Sequence, residues 1–183
     1  MTTPATPATP FVEQLALVAF PSWDEATRLR VETVREKHDP QARRIEAHFT
    51  LVFPIRMTAE PLIRHVESAL KEHTRFSFAS KHPVAVADGP TSKGHVLLVP
   101  DRGGLEIAAL HARLYTGLLE PHLRSDLPFV PHITVAAHPH LEASRALADQ
   151  LNRDGVRVQG SIDRLHLVRI DETGIHLLVP FDL

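Results

Sequence analysis

The sequence predicts an α+β fold whose strands pair antiparallel. Short runs of alternating apolar and β-branched residues are separated by segments in which apolar residues recur at helical spacing. Near the C-terminus, two strands predicted at 165–170 and 175–179 are joined by a short turn, 171–174, which ends in glycine and is typical of a hairpin. Because hairpins impose antiparallel pairing, the interleaved strands and helices favour α+β over a doubly wound parallel sheet.

Length, charge and cysteine content limit the class of protein. The chain has 183 residues, a hydrophobic fraction of 43%, a formal net charge of −2 and no cysteine. A near-neutral chain is not expected to coat nucleic acid, although a local pocket can still hold a small anion. The lack of cysteine excludes disulfides and thiolate metal sites and fits a reducing compartment. With no secretion signal and no apolar run of about 18 residues, we expect a cytoplasmic protein that does not interact with membranes.

The N-terminal segment differs from the rest of the chain. Residues 1–10 repeat Thr, Ala and Pro without apolar periodicity, which predicts a disordered tail. We therefore expect one domain over 11–183.

The first strand and helix are predicted from alternation and a capping box. Apolar alternation predicts a strand over 11–20. Ser22 and Glu25 have the spacing of a capping box, which predicts a helix from there to about Lys37. Helical spacing predicts that its core-facing residues are Ala26, Leu29, Val31 and Val34.

The same patterns predict the remaining elements. In chain order they are a strand at 45–55, a helix capped by Thr58, strands at 76–79, 84–87 and 95–99, a helix at 105–119, a strand at 129–137, a helix at 141–151, and strands at 156–158, 165–170 and 175–179. A similar order follows each of the strands at 45–55 and 129–137, which suggests two related halves.

Two of the predicted strands contain the same four-residue pattern. The copies are His48-Phe49-Thr50-Leu51 and His132-Ile133-Thr134-Val135. Because strand side chains alternate between faces, the histidine and threonine of each copy share one face and the apolar pair shares the other. Each strand therefore buries two apolar residues and presents an imidazole beside a hydroxyl.

Two imidazoles and two hydroxyls suit chemistry at a phosphodiester. Histidine titrates near physiological pH, so one ring can accept a proton while a second ring donates one. Threonine hydroxyls can donate hydrogen bonds to the non-bridging oxygens. This scheme requires no metal, and we expect no cofactor. The two copies are far apart in the sequence, so the fold must bring them together.

The motif pair resembles the 2H phosphoesterases, a family named for two His-x-Thr/Ser-x motifs that includes the bacterial 2′-5′ RNA ligase-like proteins. The resemblance rests on residues 48–53 and 131–135, with Phe129 before the second copy, and extends from about Phe11 to Leu183. It implies a bilobal fold of two antiparallel sheets with flanking helices, related by a pseudo-two-fold axis. It also implies a central cleft to which each lobe contributes one motif strand.

The resemblance further implies an activity and a role for each motif residue. The substrates it implies are 2′,3′-cyclic phosphates, 2′-5′ phosphodiesters or cyclic phosphates of ADP-ribose. His48 and His132 would be the general acid and base, and Thr50 and Thr134 would hold the phosphate. For hydrolysis of a cyclic phosphate to a 2′-phosphate, His48 is expected to be the acid and His132 the base, with the roles reversed for ligation.

These implications lead to a prediction and two alternatives. We expect a monomeric, metal-independent phosphodiesterase that acts on 2′,3′-cyclic phosphates of small nucleotides or RNA 3′ ends, without an extended nucleic-acid surface. One alternative is a non-catalytic nucleotide-binding module that uses the same cleft. The other is a 2′-5′ RNA ligase.

Phe129 and four cationic residues are further candidates for ligand contacts. Phe129 lies close to the second motif and is the residue that we expect to stack on a base. Arg43 and Arg44 lead into the first motif strand, Lys93 and Arg102 flank the strand predicted at 95–99, and any of them could contact phosphate. A solvated surface position is the simpler interpretation of each.

Other histidines are not expected to form a site. His138 and His140 could be metal ligands, but no third ligand follows at a suitable spacing, so a solvated turn is favoured. His95, His166 and His176 lack the motif and are expected to be ordinary strand residues.

Overall fold

The computed structural model describes residues 14–89 and 91–183. The predicted tail and residues 11–13 of the first predicted strand lie outside the described residues. The strands are β1 Gln14–Ala19, β2 Phe49–Ile55, β3 Phe76–Ser80, β4 Pro83–Ala87, β5 Gly94–Leu98, β6 Ile133–His138, β7 Val158–Ile162, β8 Arg164–Asp171 and β9 Gly174–Asp182. The α-helices are α1 Glu25–His38, α2 Ala59–Leu70, α3 Gly104–Leu114 and α4 Leu141–Arg153, and a 3₁₀ helix spans Gly117–His122.

All named strand pairs are antiparallel, so the predicted α+β class is confirmed. A four-stranded sheet has the order β2-β1-β8-β9, and a three-stranded sheet has the order β4-β5-β6. These are the two expected sheets, and β3 and β7 form an additional two-stranded sheet. The motif strands β2 and β6 are each at the edge of their sheet, which leaves one side of each strand free for other contacts.

The two halves of the chain repeat the same order of elements. β1, α1, β2 and α2 in the first half correspond to β5, α3, β6 and α4 in the second. In each half the motif strand pairs antiparallel with the preceding strand of the repeat, with Thr50 opposite Val18 and Thr134 opposite Leu97. The suggestion of two related halves thus agrees with the topology.

The apolar residues of both motifs lie in the main core. Phe49 and Leu51 of β2, and Ile133 and Val135 of β6, are each 2% exposed or less. Burying a large apolar side chain contributes roughly 1.5–3 kcal/mol, so each motif strand is anchored by its core side. The predicted alternation is confirmed, because the four motif His and Thr residues on the other face are only partly buried.

The start of α1 differs from the prediction. Asp24, not Ser22, is the N-cap, and its carboxylate accepts from the backbone N–H of Thr27 at 2.7 Å. Ser22 exchanges two backbone hydrogen bonds with Ser161, at 2.9 and 2.8 Å. The capping-box assignment was wrong because this long-range bridge holds Ser22 in extended structure.

The buried face of α1 also differs from the prediction. Thr27, Val31 and Arg35 are buried, whereas Ala26 and Leu29 are exposed. The buried face of α1 therefore consists of residues spaced four apart, and one of them is charged. Apolar periodicity could not identify it, since only Val31 among the three is apolar.

The helix predicted at 105–119 is divided into two. α3 ends at Leu114, and Gly117 begins the 3₁₀ helix with a positive φ of 51°. A positive φ is incompatible with a continuing α-helix, which explains the break.

The motif strands are also shorter than predicted, because turns and extended backbone without ladder pairing precede Phe49 and Ile133. Among the described helices, none has the length and apolar character that crossing a bilayer requires.

Gly103, at the start of α3, has no room for a side chain. Its φ is +81°, and a Cβ there would lie 2.5 Å from the Ser77 carbonyl oxygen. At the next position, Gly104, the nearest contact of a Cβ would be 3.8 Å away. The connection between β5 and α3 therefore requires glycine at 103 but not at 104.

We predict that Gly103→Ala lowers the free energy of unfolding by more than about 1 kcal/mol, because alanine is strained at this φ and clashes with a carbonyl. The control Gly104→Ala should leave stability unchanged or raise it by roughly 0.4–1 kcal/mol. Urea denaturation of both variants measures the difference. Equal effects of the two substitutions would contradict this role of Gly103.

Candidate active site

Both motifs line a single cleft of about 430 Å³. Its lining includes the motif residues of both copies, which are His48, Thr50, His132 and Thr134. His48 directly precedes β2, and His132 directly precedes β6, so each histidine is anchored by the ladder pairing of the strand that follows. The structure therefore brings together four residues that are far apart in the sequence.

The two imidazoles make matching hydrogen bonds. Nδ1 of His48 lies 2.8 Å from the carbonyl oxygen of Glu46, and Nδ1 of His132 lies 2.7 Å from that of Val130. A carbonyl can only accept, so Nδ1 is the donor in both rings. In the neutral tautomer this leaves Nε2 as the unprotonated nitrogen. Nε2 makes no hydrogen bond to a described residue in either ring and is the position that can exchange a proton.

Burial is the main influence on the pKa of both imidazoles. It lowers the pKa of His48 and of His132 below the ordinary value of 6.5, and the hydrogen bonds to the carbonyls oppose the shift. Arg35 and His132 further lower the pKa of His48, whereas Asp39 raises it. His95 further lowers the pKa of His132. Both rings are therefore predominantly neutral at neutral pH.

A buried arginine organises the segment that leads to His48. The Arg35 guanidinium is 1% exposed and contacts the carboxylates of Glu32 and Asp39 at 3.0 Å each. It also donates to the carbonyl of Ile45 at 2.8 Å, and Glu32 accepts from the backbone N–H of Ala47 at 2.8 Å. These bonds attach the loop between α1 and β2 to the helix, so they fix the approach to the first motif.

Sequence reasoning missed Arg35, Asp39 and His95, all of which line the cleft. The spacing of Glu32, Arg35 and Asp39 at three and four residues on a predicted helix was an available signal. Such pairs are usually solvated, so spacing alone could not indicate burial. His95 is placed by strand pairing with Ala137 of β6, which the sequence did not reveal.

Of the four cationic candidates, the structure distinguishes Arg44 from its neighbour Arg43. Arg44 lines the cleft together with both motifs, whereas Arg43 lines only neighbouring surface cavities. Neither guanidinium forms an ion pair with a described residue. Arg44 is thus a cation available to an anion in the cleft.

Phe129 belongs to an aromatic cluster beside the cleft. Its ring stacks on His111 at 3.6 Å with an interplanar angle of 4°, and the ring of Phe53 lies edge-on at 6.4 Å. His111 donates through Nδ1 to the Leu51 carbonyl at 2.8 Å, and the Tyr115 hydroxyl accepts from the backbone N–H of Phe53 at 3.1 Å. Side chains of α3 and of its C-cap residue, Tyr115, therefore satisfy backbone groups of the edge strand β2.

His138 and His140 have different surroundings in the structure. His138 is partly buried in β6 and lies 3.0 Å from Ser144 Oγ and 3.4 Å from Nδ1 of His38. The solvated-turn interpretation is therefore wrong for His138, whereas His140 is exposed and precedes α4. Within 14–89 and 91–183, no group of three or more His, Cys, Asp or Glu side chains could hold a metal.

Two other histidines lie on the closing hairpin. His166 of β8 contacts Phe20, whose ring also contacts His48, at centroid distances of 5.1 and 6.2 Å. His176 lies 2.8 Å from Thr173 Oγ1 and 3.2 Å from Asp171, in the hairpin turn. His176 thus has a local structural role.

Two antiparallel sheets that each present an imidazole and a hydroxyl to one cleft define a two-histidine phosphoesterase architecture. The family model of the 2′-5′ RNA ligase superfamily matches residues 20–174. The chain therefore belongs to this superfamily, and the resemblance to the 2H phosphoesterases is confirmed. Comparison with curated protein sequences gives no significant match.

Solved structures of low sequence identity share the fold. TT0787 of Thermus thermophilus has a TM-score of 0.61 at 17% identity, over 93% of this chain and 97% of its own. E. coli LigT complexed with 3′-AMP has a TM-score of 0.54 at 16% identity, over 96% and 99%. Kluyveromyces marxianus Usb1 with uridine monophosphate has a TM-score of 0.55 at 11% identity, over 93% and 98%.

We predict that Arg35→Met destabilises the protein by about 3–5 kcal/mol, because it leaves the Glu32 and Asp39 carboxylates without their partner. The matched control is Arg28→Met, which removes a solvent-exposed pair with Glu25 on the same helix and should have little effect. Denaturant titration of both variants tests this. A loss for Arg35→Met no larger than that for Arg28→Met would show that the buried network does not stabilise the fold.

Proposed function

We propose that the protein is a metal-independent phosphodiesterase that hydrolyses 2′,3′-cyclic phosphates of RNA ends or nucleotides to 2′-phosphates. Membership of a superfamily of phosphoesterases and ligases supports an enzyme of phosphoester chemistry. The observation that carries the proposal is the matched pair of Nδ1 hydrogen bonds, which leaves Nε2 of each imidazole free within one cleft.

The proposed reaction uses the two rings in opposite ionisation states. Nε2 of neutral His132 takes a proton from water, and the water oxygen forms a bond to phosphorus. The bond from phosphorus to the 3′ oxygen breaks, and protonated His48 transfers its Nε2 proton to that oxygen. The product is a 2′-phosphate with a free 3′ hydroxyl. Afterwards His48 is neutral and His132 is protonated, so proton exchange with solvent restores the starting state.

Threonine and arginine side chains are available for the charge on phosphate. Thr50 and Thr134 lie two positions after the histidines in the sequence and line the same cleft, where their hydroxyls can donate to the non-bridging oxygens. Arg44 adds a cation without an ionic partner among the described residues. We propose that Phe129 offers an apolar surface to the base. The structures of LigT with 3′-AMP and of Usb1 with uridine monophosphate support a nucleotide as the ligand.

We further propose that the protein acts in the cytoplasm as a monomer. A formal net charge of −2 supports recognition of a small nucleotide or an RNA 3′ end by a local pocket over an extended nucleic-acid surface.

The first test is incubation with nucleoside 2′,3′-cyclic phosphates in excess chelator, with the products identified by phosphorus NMR. We expect 2′-phosphates from the wild type and a loss of at least about 10²-fold in rate for His48→Ala and for His132→Ala, the usual scale for a positioned acid or base. His140→Ala is the exposed-histidine control and should retain full rate. A bound nucleotide recovered intact would instead indicate a nucleotide-binding module.

The threonines are predicted to act on the transition state. Thr50→Val and Thr134→Val keep the shape of the side chain but remove the donor, so each should lower kcat/KM by roughly 10–10³-fold with the fold retained. Steady-state kinetics and circular dichroism measure the two properties. Unchanged kcat/KM in both variants would remove the phosphate-binding role.

The lowered pKa of both imidazoles predicts an acidic optimum. The reaction needs one protonated ring, and the protonated fraction falls as pH rises through a pKa that lies below 6.5. The profile of kcat/KM in the free enzyme should therefore be bell-shaped, with its maximum below pH 6.5 and a decline above it. Because the two titrations are coupled, the limbs belong to the pair. A rate that still increases above pH 7 would contradict the assignment.

A further inference from the structure

A second, larger cavity adjoins the cleft at His132. It has a volume of about 1110 Å³, and His132 lines both spaces. We call it the apolar chamber and define it by the cavity-lining residues of β2, β4 and β5, the aromatic cluster, and residues 122–124 and 127–130. Binding sites for drug-sized molecules occupy roughly 300–1,000 Å³. The chamber is therefore large enough for a group of that size, in addition to a phosphate held between the motifs.

Leu97 and Val84 form the floor of the chamber, by which we mean the part that the three-stranded sheet provides. Strand register places this floor on the same face of the sheet as Thr134 of the second motif. Thr134 pairs with Leu97 of β5, and Leu97 pairs with Val84 of β4. Paired residues of antiparallel strands point to the same face. A ligand that reaches from Thr134 across the sheet therefore passes directly onto apolar side chains.

Much of the exposed apolar surface of the described residues faces this chamber. Among the large apolar side chains that are exposed, Phe53, Val84, Leu123, Leu127 and Val130 all line it. Contiguous exposed apolar patches are typical of ligand or partner sites. Here the patch is concave and continuous with the catalytic cleft, which favours a part of the substrate as its occupant.

Aromatic rings and sparse charge define what the chamber suits. The stacked pair of His111 and Phe129, with Phe53 edge-on, forms an aromatic wall that suits another planar ring. No acidic side chain of a described residue lines the chamber, and the Arg124 guanidinium is paired with Asp126 at 2.7 Å. Arg56 is the one lining guanidinium without an ionic partner among the described residues. An RNA chain would bring one phosphate per nucleotide, for which the chamber offers two guanidiniums, one of them already paired.

We propose that the apolar chamber, beyond the position at Phe129 that the base is proposed to occupy, is a specificity subsite for a bulky, uncharged aromatic group carried by that base. The preferred substrate is then a cyclic phosphoester of a nucleoside that carries such a group, rather than the unmodified end of an RNA chain. This inference rests on the proposed function for the reacting phosphate, and it adds the chemical class of the group that lies beyond His132.

The test compares four substrates that differ only beyond the cyclic phosphate. They are glycerol 1,2-cyclic phosphate, adenosine 2′,3′-cyclic phosphate, its N6-benzoyl derivative, and an RNA oligonucleotide ending in a 2′,3′-cyclic phosphate. Burial of the benzoyl ring should raise kcat/KM over that of the plain adenosine compound by at least about tenfold. Equal values for these two compounds, or a preference for the oligonucleotide, would overturn the proposal.

Substitutions that introduce a carboxylate test whether the preference for the benzoyl compound arises in the chamber. Val84→Glu places a carboxylate on the chamber floor and should abolish the benzoyl advantage, while activity on glycerol 1,2-cyclic phosphate stays within about twofold. The matched control is Leu178→Glu, because Val84 and Leu178 are 37% and 38% exposed on edge strands and Leu178 lies outside the chamber. Leu127→Glu, in the segment 122–130, repeats the test away from the sheet in case Val84→Glu does not fold. An equal loss in the Leu178→Glu control would contradict the location.

A binding measurement separates this inference from the proposed activity. If no cyclic phosphate is cleaved, the proposed function fails, but calorimetry with adenosine 2′-phosphate and its N6-benzoyl derivative still tests the chamber. Affinity for the benzoyl compound should be higher by at least about tenfold in the wild type and not in Val84→Glu. Equal affinities of the two compounds for the wild type would overturn the subsite.

Discussion

The geometry of the first motif depends on the burial of one positive charge. Arg35 is enclosed almost completely, and a buried guanidinium is tolerated only when its charge and its donors are matched. Glu32, Asp39 and the carbonyl of Ile45 provide the match, and Glu32 also accepts from the backbone of Ala47. The loop before β2 is therefore held at several points by hydrogen bonds. Breaking them would leave a buried charge without a partner. The second motif has no equivalent network among the described residues and is instead held by its pairing with β5.

One hydrogen bond restricts each imidazole of the candidate site to a single tautomer in its neutral form. An imidazole without this hydrogen bond could exchange a proton through either nitrogen. The bond from Nδ1–H to the carbonyl two residues earlier leaves only Nε2 for proton exchange. Burial then lowers the pKa of both rings, and the charge on a protonated His132 further lowers the pKa of His48. A cleft in which protonation of His132 disfavours protonation of His48 suits a reaction in which one ring must be protonated and the other neutral. The apolar chamber beside His132 makes the cleft chemically asymmetric, with Arg44 on the motif side and aromatic rings beyond.

Much of this arrangement could be predicted from the sequence because it follows from local periodicity. The alternation at 48–51 and 132–135 determined which residues face the core, and the hairpin at 171–174 indicated antiparallel pairing. The exceptions depend on contacts between distant segments. Ser22 pairs with Ser161 and does not cap α1, and the charged stripe of α1 is buried only because the loop before β2 covers it. His95 reaches the cleft through its register with β6. The chamber could not be predicted, since its lining is drawn from strands, a helix and a loop that no sequence pattern connects.

The central claim is that His48 and His132 share one fixed tautomer and exchange protons through Nε2 within one cleft. Nitrogen-15 chemical shifts of the two imidazoles, measured across pH with and without adenosine 2′-phosphate, test this most directly. We predict that in the neutral form both rings are protonated at Nδ1. We also predict that both titrate at Nε2 below pH 6.5 and that the ligand perturbs both rings together. A ring protonated at Nε2 in the neutral form, or a ligand that perturbs only one of the two, would contradict the account.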